Sequence, residues 1–182
     1  MLKGSHSQKE QAFADIYAKY STRIYAYCLK VLGDGDDAND IFQEVFVRFY
    51  SGAKEGKFIG NIFPLLLSTA RNLCLNFQRD LKKYTHYTEF EHGQSSVPDY
   101  EGKELGELIA KAVDLLDFEY RDLIVLRQYQ GLTYEEIAKM TNQTENGVKT
   151  KYWRAKEKLK KILTPFLEGN YNTESKIIKS KK

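Results

Sequence analysis

Apolar residues recur at steps of three and four along most of the chain, and that spacing divides it into amphipathic helices. Phe13, Ile16, Tyr17, Tyr20, Ile24, Cys28, Val31 and Leu32 mark a long first helix from about Gln8 that stops at Gly33. Asp34, Gly35, Asp36 and Asp37 form a turn and an acidic first helical turn, which suits the positive end of a helix dipole. The second helix turns Ala38, Ile41, Phe42, Val45, Phe46 and Phe49 inward and leaves Asp40, Gln43, Glu44 and Arg48 outside or beside that stripe. After a Gly- and Lys-rich loop over 51–60, a third helix starts near Phe63 or Pro64, because proline is accepted in a first turn. It turns Leu66, Thr69, Ala70, Leu73, Cys74 and Phe77 inward, and carries Arg71, Asn72, Asn76, Arg79, Lys82 and Lys83 on its polar side. Periodicity lapses over 84–102, around Pro98, and resumes in two helices through Leu105–Leu116 and Tyr120–Leu126.

The stretch from Gly131 to Leu163 has the pattern of a helix-turn-helix. Thr133 and Glu136 are spaced for a capping box, in which each side chain takes the other's backbone N–H. Ile137 and Met140 give an apolar edge, and Ala138 leaves room for a crossing helix. Thr141, Asn142 and Gln143 form the turn, with Asn142 best able to adopt a left-handed backbone. A second cap at Thr144 opens a helix with Val148, Tyr152, Ala155, Leu159 and Ile162 inward. Its remaining surface holds seven Lys or Arg against Glu145 and Glu157, a balance of 7 − 2 = +5. Such a helix fits a DNA major groove, and phosphates reward its charge. Trp153 projects roughly 130° from the apolar stripe, on a side shared with Asn146, Lys149 and Thr150. It stands either at the edge of a DNA surface or under Phe166 or Tyr171 of the tail folded back.

Composition refines this picture. The chain is a helical one of 182 residues, 42% hydrophobic and 29% charged, with three prolines. Its net +3 conceals an asymmetry: +3 over residues 1–83, −7 over 84–119 and +7 over 120–182. Two basic blocks flanking an acidic connector predict two contacts with a polyanion, and a connector that repels it or covers the basic surfaces when DNA is absent. Cys28 and Cys74 sit in apolar stripes and read as core residues, while His6, His86 and His92 are scattered. No metal site or cofactor is expected. The longest apolar run, Ile62 to Leu67, is too short to span a bilayer, so a cytoplasmic protein is expected, with no direct membrane insertion. Basic groups beside Asn72 and Asn76, with Phe58, Ile59 and Phe63 just upstream, are what single-stranded DNA binding uses; the same residues also make an ordinary helix surface.

Three segments, DDANDIFQEVFVRFY (36–50), FPLLLSTARNLCLNFQR (63–79) and YRDLIVLRQYQGLTYEEIAKMTNQTENGVKTKYWRAKEKL (120–159), in this order, resemble the extracytoplasmic-function class of bacterial RNA polymerase sigma factors. The resemblance implies an all-α protein of two small helical domains (8–83 and 103–167, the latter a helix-turn-helix), a flexible linker (84–102) and a polar basic tail (168–182). It implies that Asp40, Gln43 and Glu44 dock on the beta-prime clamp of core polymerase, with the last domain on the beta flap. Arg71, Asn72, Asn76 and Arg79 would open and read the minus-ten element. The helix bearing Thr144, Asn146, Lys149, Thr150, Lys151, Trp153 and Arg154 would read the minus-thirty-five element as duplex. It further implies two separate domains whose linker threads through the polymerase, and an anti-sigma factor as partner, in this family often membrane-bound. The chain departs from the family at Leu65, usually Trp, at Ser68, usually basic, at Asp117, usually Pro, and at Thr141 and Gln143, usually apolar. The rival reading is a helix-turn-helix regulator that acts without polymerase. An enzyme is not expected, because Asp34, Asp36, Asp37 and Asp40, the only dense acidic group, lack histidine or lysine partners.

Overall fold

The computed structural model describes residues 6–54, 60–85 and 105–179, and its regular elements are all helical. They are α1 (His6–Leu32), α2 (Gly35–Lys54), α3 (Ile62–Thr85), α4 (Leu105–Asp114), α5 (Phe118–Ile124), α6 (Tyr134–Thr141) and α7 (Glu145–Lys179). Phe58, Ile59, His86, His92 and nearly all of the 84–102 connector lie outside the described residues.

Helices α1, α2 and α3 pack as a bundle around Ile24, Tyr27, Cys28, Val45, Leu66 and Cys74, all fully buried. The apolar periodicity that defines each helix is thus spent in one shared core. Aromatic rings close its open end edge to face, with Tyr17 and Phe46 centroids 4.8 Å apart and Phe13 and Tyr50 5.0 Å apart. Cys28 and Cys74 are free, buried neighbours, and each other's proximity together with burial pushes the Cys74 thiol far up. Gly33 ends α1 at φ +79°, and its amide donates to the Leu29 carbonyl. Asp34 then caps α2, its Oδ1 accepting the amides of Asp36 and Asp37 at 2.9 and 3.0 Å.

The second unit packs α7 across α4, α5 and α6. Helix α5 continues as one π-helical turn, Val125–Tyr129, which ordinary helical spacing does not announce. Gly131 then turns the chain at φ +74° toward α6.

One expectation is corrected. The halves are not apart: α1 lies against α5 and the π turn, because Arg23, Tyr27 and Val31, one helical turn apart, meet Gln130, Asp122 and Arg121. The polar segment after Phe166 continues α7 to Lys179, past Pro165. Polarity removes the need for a packed face but does not break a helix, and the Thr164 hydroxyl donates to the Lys160 carbonyl just before the proline.

Candidate nucleic-acid and polymerase interface

Local chemistry sets the helix-turn-helix. Thr133 Oγ1 accepts the Glu136 amide at 3.1 Å, and the Thr133 amide donates to Glu136 Oε2 at 2.7 Å. The Thr133 amide and hydroxyl, both donating to Oε2, hold the Glu136 carboxyl below the ordinary glutamate range. Asn142 adopts φ 52°, ψ 46°, and the Thr141 hydroxyl donates to the Ile137 carbonyl at 2.8 Å, so the polar turn residues satisfy the end of α6. Thr144 Oγ1 accepts the Gly147 amide at 3.1 Å. A Cβ on Gly147 would lie 3.0 Å from that oxygen, so glycine here keeps the cap uncrowded, a role the sequence alone did not reveal.

Val148, Tyr152 and Ala155 are buried, which fixes the rotation of α7. At 100° per residue, Asn146, Thr150 and Trp153 fall within about 60° of one another on the opposite side. All three are exposed, Trp153 by 61%. Lys149 and Lys156 flank this stripe on one side, Arg154 and Lys158 on the other, all exposed. Thr144, also exposed, stands at its N-terminal end. A polar and aromatic ridge between two cationic rows matches a groove floor between two phosphate strands. Lys149 pairs with Glu145 at 2.7 Å and Lys158 with Asp117 at 2.6 Å. Lys151 is placed differently: it turns toward α5, 2.5 Å from Glu119, and is half-buried. Because α7 runs on as one helix, Phe166 lies about 20 Å further along it and does not cover Trp153.

Asp117 takes the place of the family's proline at φ −53°, a value proline itself favours. Its carboxylate instead receives Lys158, which holds it below the usual aspartate range. The departure therefore exchanges a rigid turn for an ion pair between α5 and α7.

On α2, Asp40 and Gln43 are exposed, and Glu44 is partly so, accepting Arg48 at 2.6 Å. Val47, 58% exposed, extends the same face. Sequence reasoning passed over Val47, although it falls off the apolar stripe that Val45, Phe46 and Phe49 define.

On α3, Asn72, Asn76 and Arg79 are exposed. A hollow of about 250 Å³ opens beside Asn72, lined by Arg48, Phe49, Leu65 and Thr69. Phe63 is already engaged, with the Arg23 guanidinium 3.9 Å from its ring centroid and Tyr20 stacked at 5.6 Å. Arg71 does not join its neighbours on the surface. Its side chain is 14% exposed, and Nε donates to Asp122 Oδ2 at 2.8 Å. Tyr27 donates to the other oxygen at 2.7 Å. Burial pushes the Asp122 carboxyl above the ordinary range, against the pull of Arg71 and Tyr27.

The Sigma-70 region 2 family matches residues 16–84, and the Sigma-70, region 4 family matches 106–159. The ECF RNA polymerase sigma factor SigW of Bacillus subtilis is 30% identical, over 85% of this chain and 90% of its own. The chain belongs to the extracytoplasmic-function class of RNA polymerase sigma factors. The RNA polymerase sigma-H factor of Pseudomonas aeruginosa is 26% identical over 87% of this chain and 89% of its own. Among solved structures, the fold is shared with the sigma factor RpoE of Bartonella quintana, solved with the anti-sigma factor NepR (18% identity, TM-score 0.68, 85% of this chain and 98% of that one). CnrH, solved with the cytosolic domain of CnrY, is similar at TM-score 0.61, with 18% identity over 86% of this chain and 90% of that one. In this sigma factor, region 2 thus corresponds to α1–α3, and region 4 runs from α4 into the basic part of α7. Among the described residues, no helix is long and apolar enough to cross a membrane.

Proposed function

We propose that this sigma factor divides promoter recognition among three helices. Asp40, Gln43 and Glu44 of α2, with Val47 beside them, dock on the beta-prime clamp of core polymerase, and the region 4 half contacts the beta flap. Asn72 and Asn76 of α3 hold exposed base edges of the minus-ten element, one base entering the hollow beside Asn72, while Arg71 and Arg79 hold phosphate. Asn146, Thr150 and Trp153 face the minus-thirty-five duplex, with Thr144 at the groove entrance, Lys149 and Arg154 on the two phosphate strands, and Lys151 in a lesser role. The protein acts in the cytoplasm, without catalysis of its own. An anti-sigma factor is a further partner, as NepR is for the Bartonella quintana sigma factor RpoE.

The observation that carries this reading is the layout of α7, an exposed polar and aromatic ridge between two cationic rows, in a chain that also matches region 2. A polymerase-independent regulator has no use for that second match. The test is transcription with core polymerase on a promoter library, using the double variant Asp40→Lys, Gln43→Ala. The variant should lose holoenzyme formation yet still bind duplex DNA; undiminished holoenzyme would remove α2 from the polymerase contact.

A further inference from the structure

Among the described residues, one face of α1 supplies most of the polar contacts that join the halves. Arg23 donates to the Gln130 carbonyl at 3.1 Å, and Gln130 Nε2 donates back to the Arg23 carbonyl at 3.4 Å. Arg121 donates to the Val31 carbonyl at 3.1 Å, and Lys30 lies 4.1 Å from the Tyr129 ring centroid. At the centre is Asp122, only 3% exposed, set beside the apolar run Leu123 to Leu126. Both of its oxygens are spent across the interface, on Tyr27 of α1 and on Arg71 of α3. A carboxylate in such a place is costly to desolvate unless partners meet it, and here those partners come from the other half of the molecule. The adjoining hollow of about 220 Å³ brings Asp122 and Glu119 of α5 opposite Arg71 and Arg79 of α3. Acidic groups of region 4 thus face the basic groups of the helix assigned to opened DNA, while Asn72 and Asn76 stay exposed.

We propose that the Asp122 carboxylate stands in for a nucleic-acid phosphate at Arg71, so that the closed arrangement is a self-inhibited form that must open before α3 grips single-stranded DNA. This rests on the assignment of α3 to the opened strand. A carboxylate and a phosphate offer Arg the same paired oxygens, so the two exclude each other at one guanidinium. The inhibition is selective. It occupies the phosphate anchor, and leaves the base-reading amides and the outer face of α7 uncovered. Apparent affinity for a single strand is then the intrinsic affinity reduced by the fraction of molecules that are open.

The experiment uses the full-length chain, a fluorescein-labelled oligothymidylate of about 20 nucleotides at low salt, and small-angle X-ray scattering. Saturating the wild-type protein with the oligonucleotide should raise its radius of gyration. Asp122→Asn keeps the shape and removes the charge, and Tyr27→Phe removes one donor. Both should expand the free protein, and Asp122→Asn should bind the strand about five to ten times more tightly. Glu107→Gln makes the same charge change on exposed α4 and should stay within about twofold of wild type. Wild-type binding at an unchanged radius overturns the proposal without recourse to any variant. An expanded Asp122→Asn with unchanged affinity also overturns it, as does an unexpanded one or a gain that Glu107→Gln reproduces. If no form binds the strand, the assignment of α3 fails as well; transcription with core polymerase would then still uphold the sigma-factor reading.

Discussion

If α7 lies in a major groove with its outer stripe on the bases, neutralising a cation in either flanking row should remove one phosphate contact. Lys149→Ala takes one from the first row and Arg154→Ala one from the second. Each phosphate neutralised on duplex DNA contributes about 0.9 to the slope of log affinity against log salt. A single variant should therefore flatten the slope by about 0.9, and the pair by about 1.8. Between about 50 and 200 mM salt the wild type should lose roughly 3.5 times more affinity than either single variant, and roughly 12 times more than the double. Lys149 is bound to Glu145 in the free protein, but an exposed pair of this kind is worth only about 0–1 kcal/mol, so exchanging it for phosphate scarcely reduces the effect. Lys151 supplies the internal comparison. Turned inward to Glu119, it should change the slope by less than half as much when replaced by Ala. Fluorescence anisotropy with a labelled duplex of about 30 base pairs gives these slopes, and sequence is immaterial because the term is nonspecific. Equal effects from Lys151→Ala and Arg154→Ala would show that DNA does not meet the face opposite Val148 and Ala155.

Two further outcomes test the same unit. Thr133→Ala should cost about 1 kcal/mol in denaturant unfolding, the value of a side-chain cap. Because the Glu136 carboxyl is lowered in the folded protein, its contribution is complete above the usual value of 4.5 and is lost as pH falls through the lowered one. Glu136→Gln should therefore flatten the acid limb of the stability profile, and an unaltered limb would exclude the cap as its cause. Trp153, 61% exposed, should emit as a hydrated indole, change emission on adding duplex, and lose that change as salt rises; indifference to duplex would remove it from the recognition surface.

What the sequence disclosed and what it concealed divide along a physical line. The cap at Thr133, the left-handed Asn142, the stop at Gly33 and the buried faces depend on residues within a few positions of each other, and local stereochemistry determines them. The same holds for Trp153, whose direction follows from the helical repeat and the position of Val148. Arg71 was misread as a surface cation for a different reason. On α3 it occupies a polar position like Asn72 or Arg79, and its partner, Asp122, is fifty-one residues away in the other half. Asp122 itself sits in an apolar stretch, where a lone carboxylate signals a distant partner without identifying it. Lys151 was likewise grouped with the outer cations, because its pairing with Glu119 requires the packing of α5 on α7. The π turn after α5 and the passage of α7 through Pro165 arise from backbone adjustments that apolar spacing does not encode.

The energetics of the closed form bear on how such a protein could be both silent when free and active when bound. A buried ion pair such as Arg71 with Asp122 roughly balances its attraction against desolvation, so it sets how the halves meet more than how tightly they hold. The bonds from Arg23, Arg121 and Tyr27 add selectivity on the same terms, since each is exchanged for hydration when the halves part. Shifting such an equilibrium from one part in a hundred open to ninety-nine needs about 5.5 kcal/mol of preferential binding to the open form. The docking face proposed on α2 does not share residues with the contact that closes the molecule, which uses α1, α3 and the α5 region. Polymerase can therefore engage α2 while the halves are still closed. Differential affinity then has to come from contacts that only the open form offers, such as a second contact made by region 4 at a distance from the first. The polar groups between the halves can exchange their bonds for hydration, but the buried core runs on from α1–α3 into α5 and the π turn, so those open-form contacts must also offset the apolar contact that opening exposes.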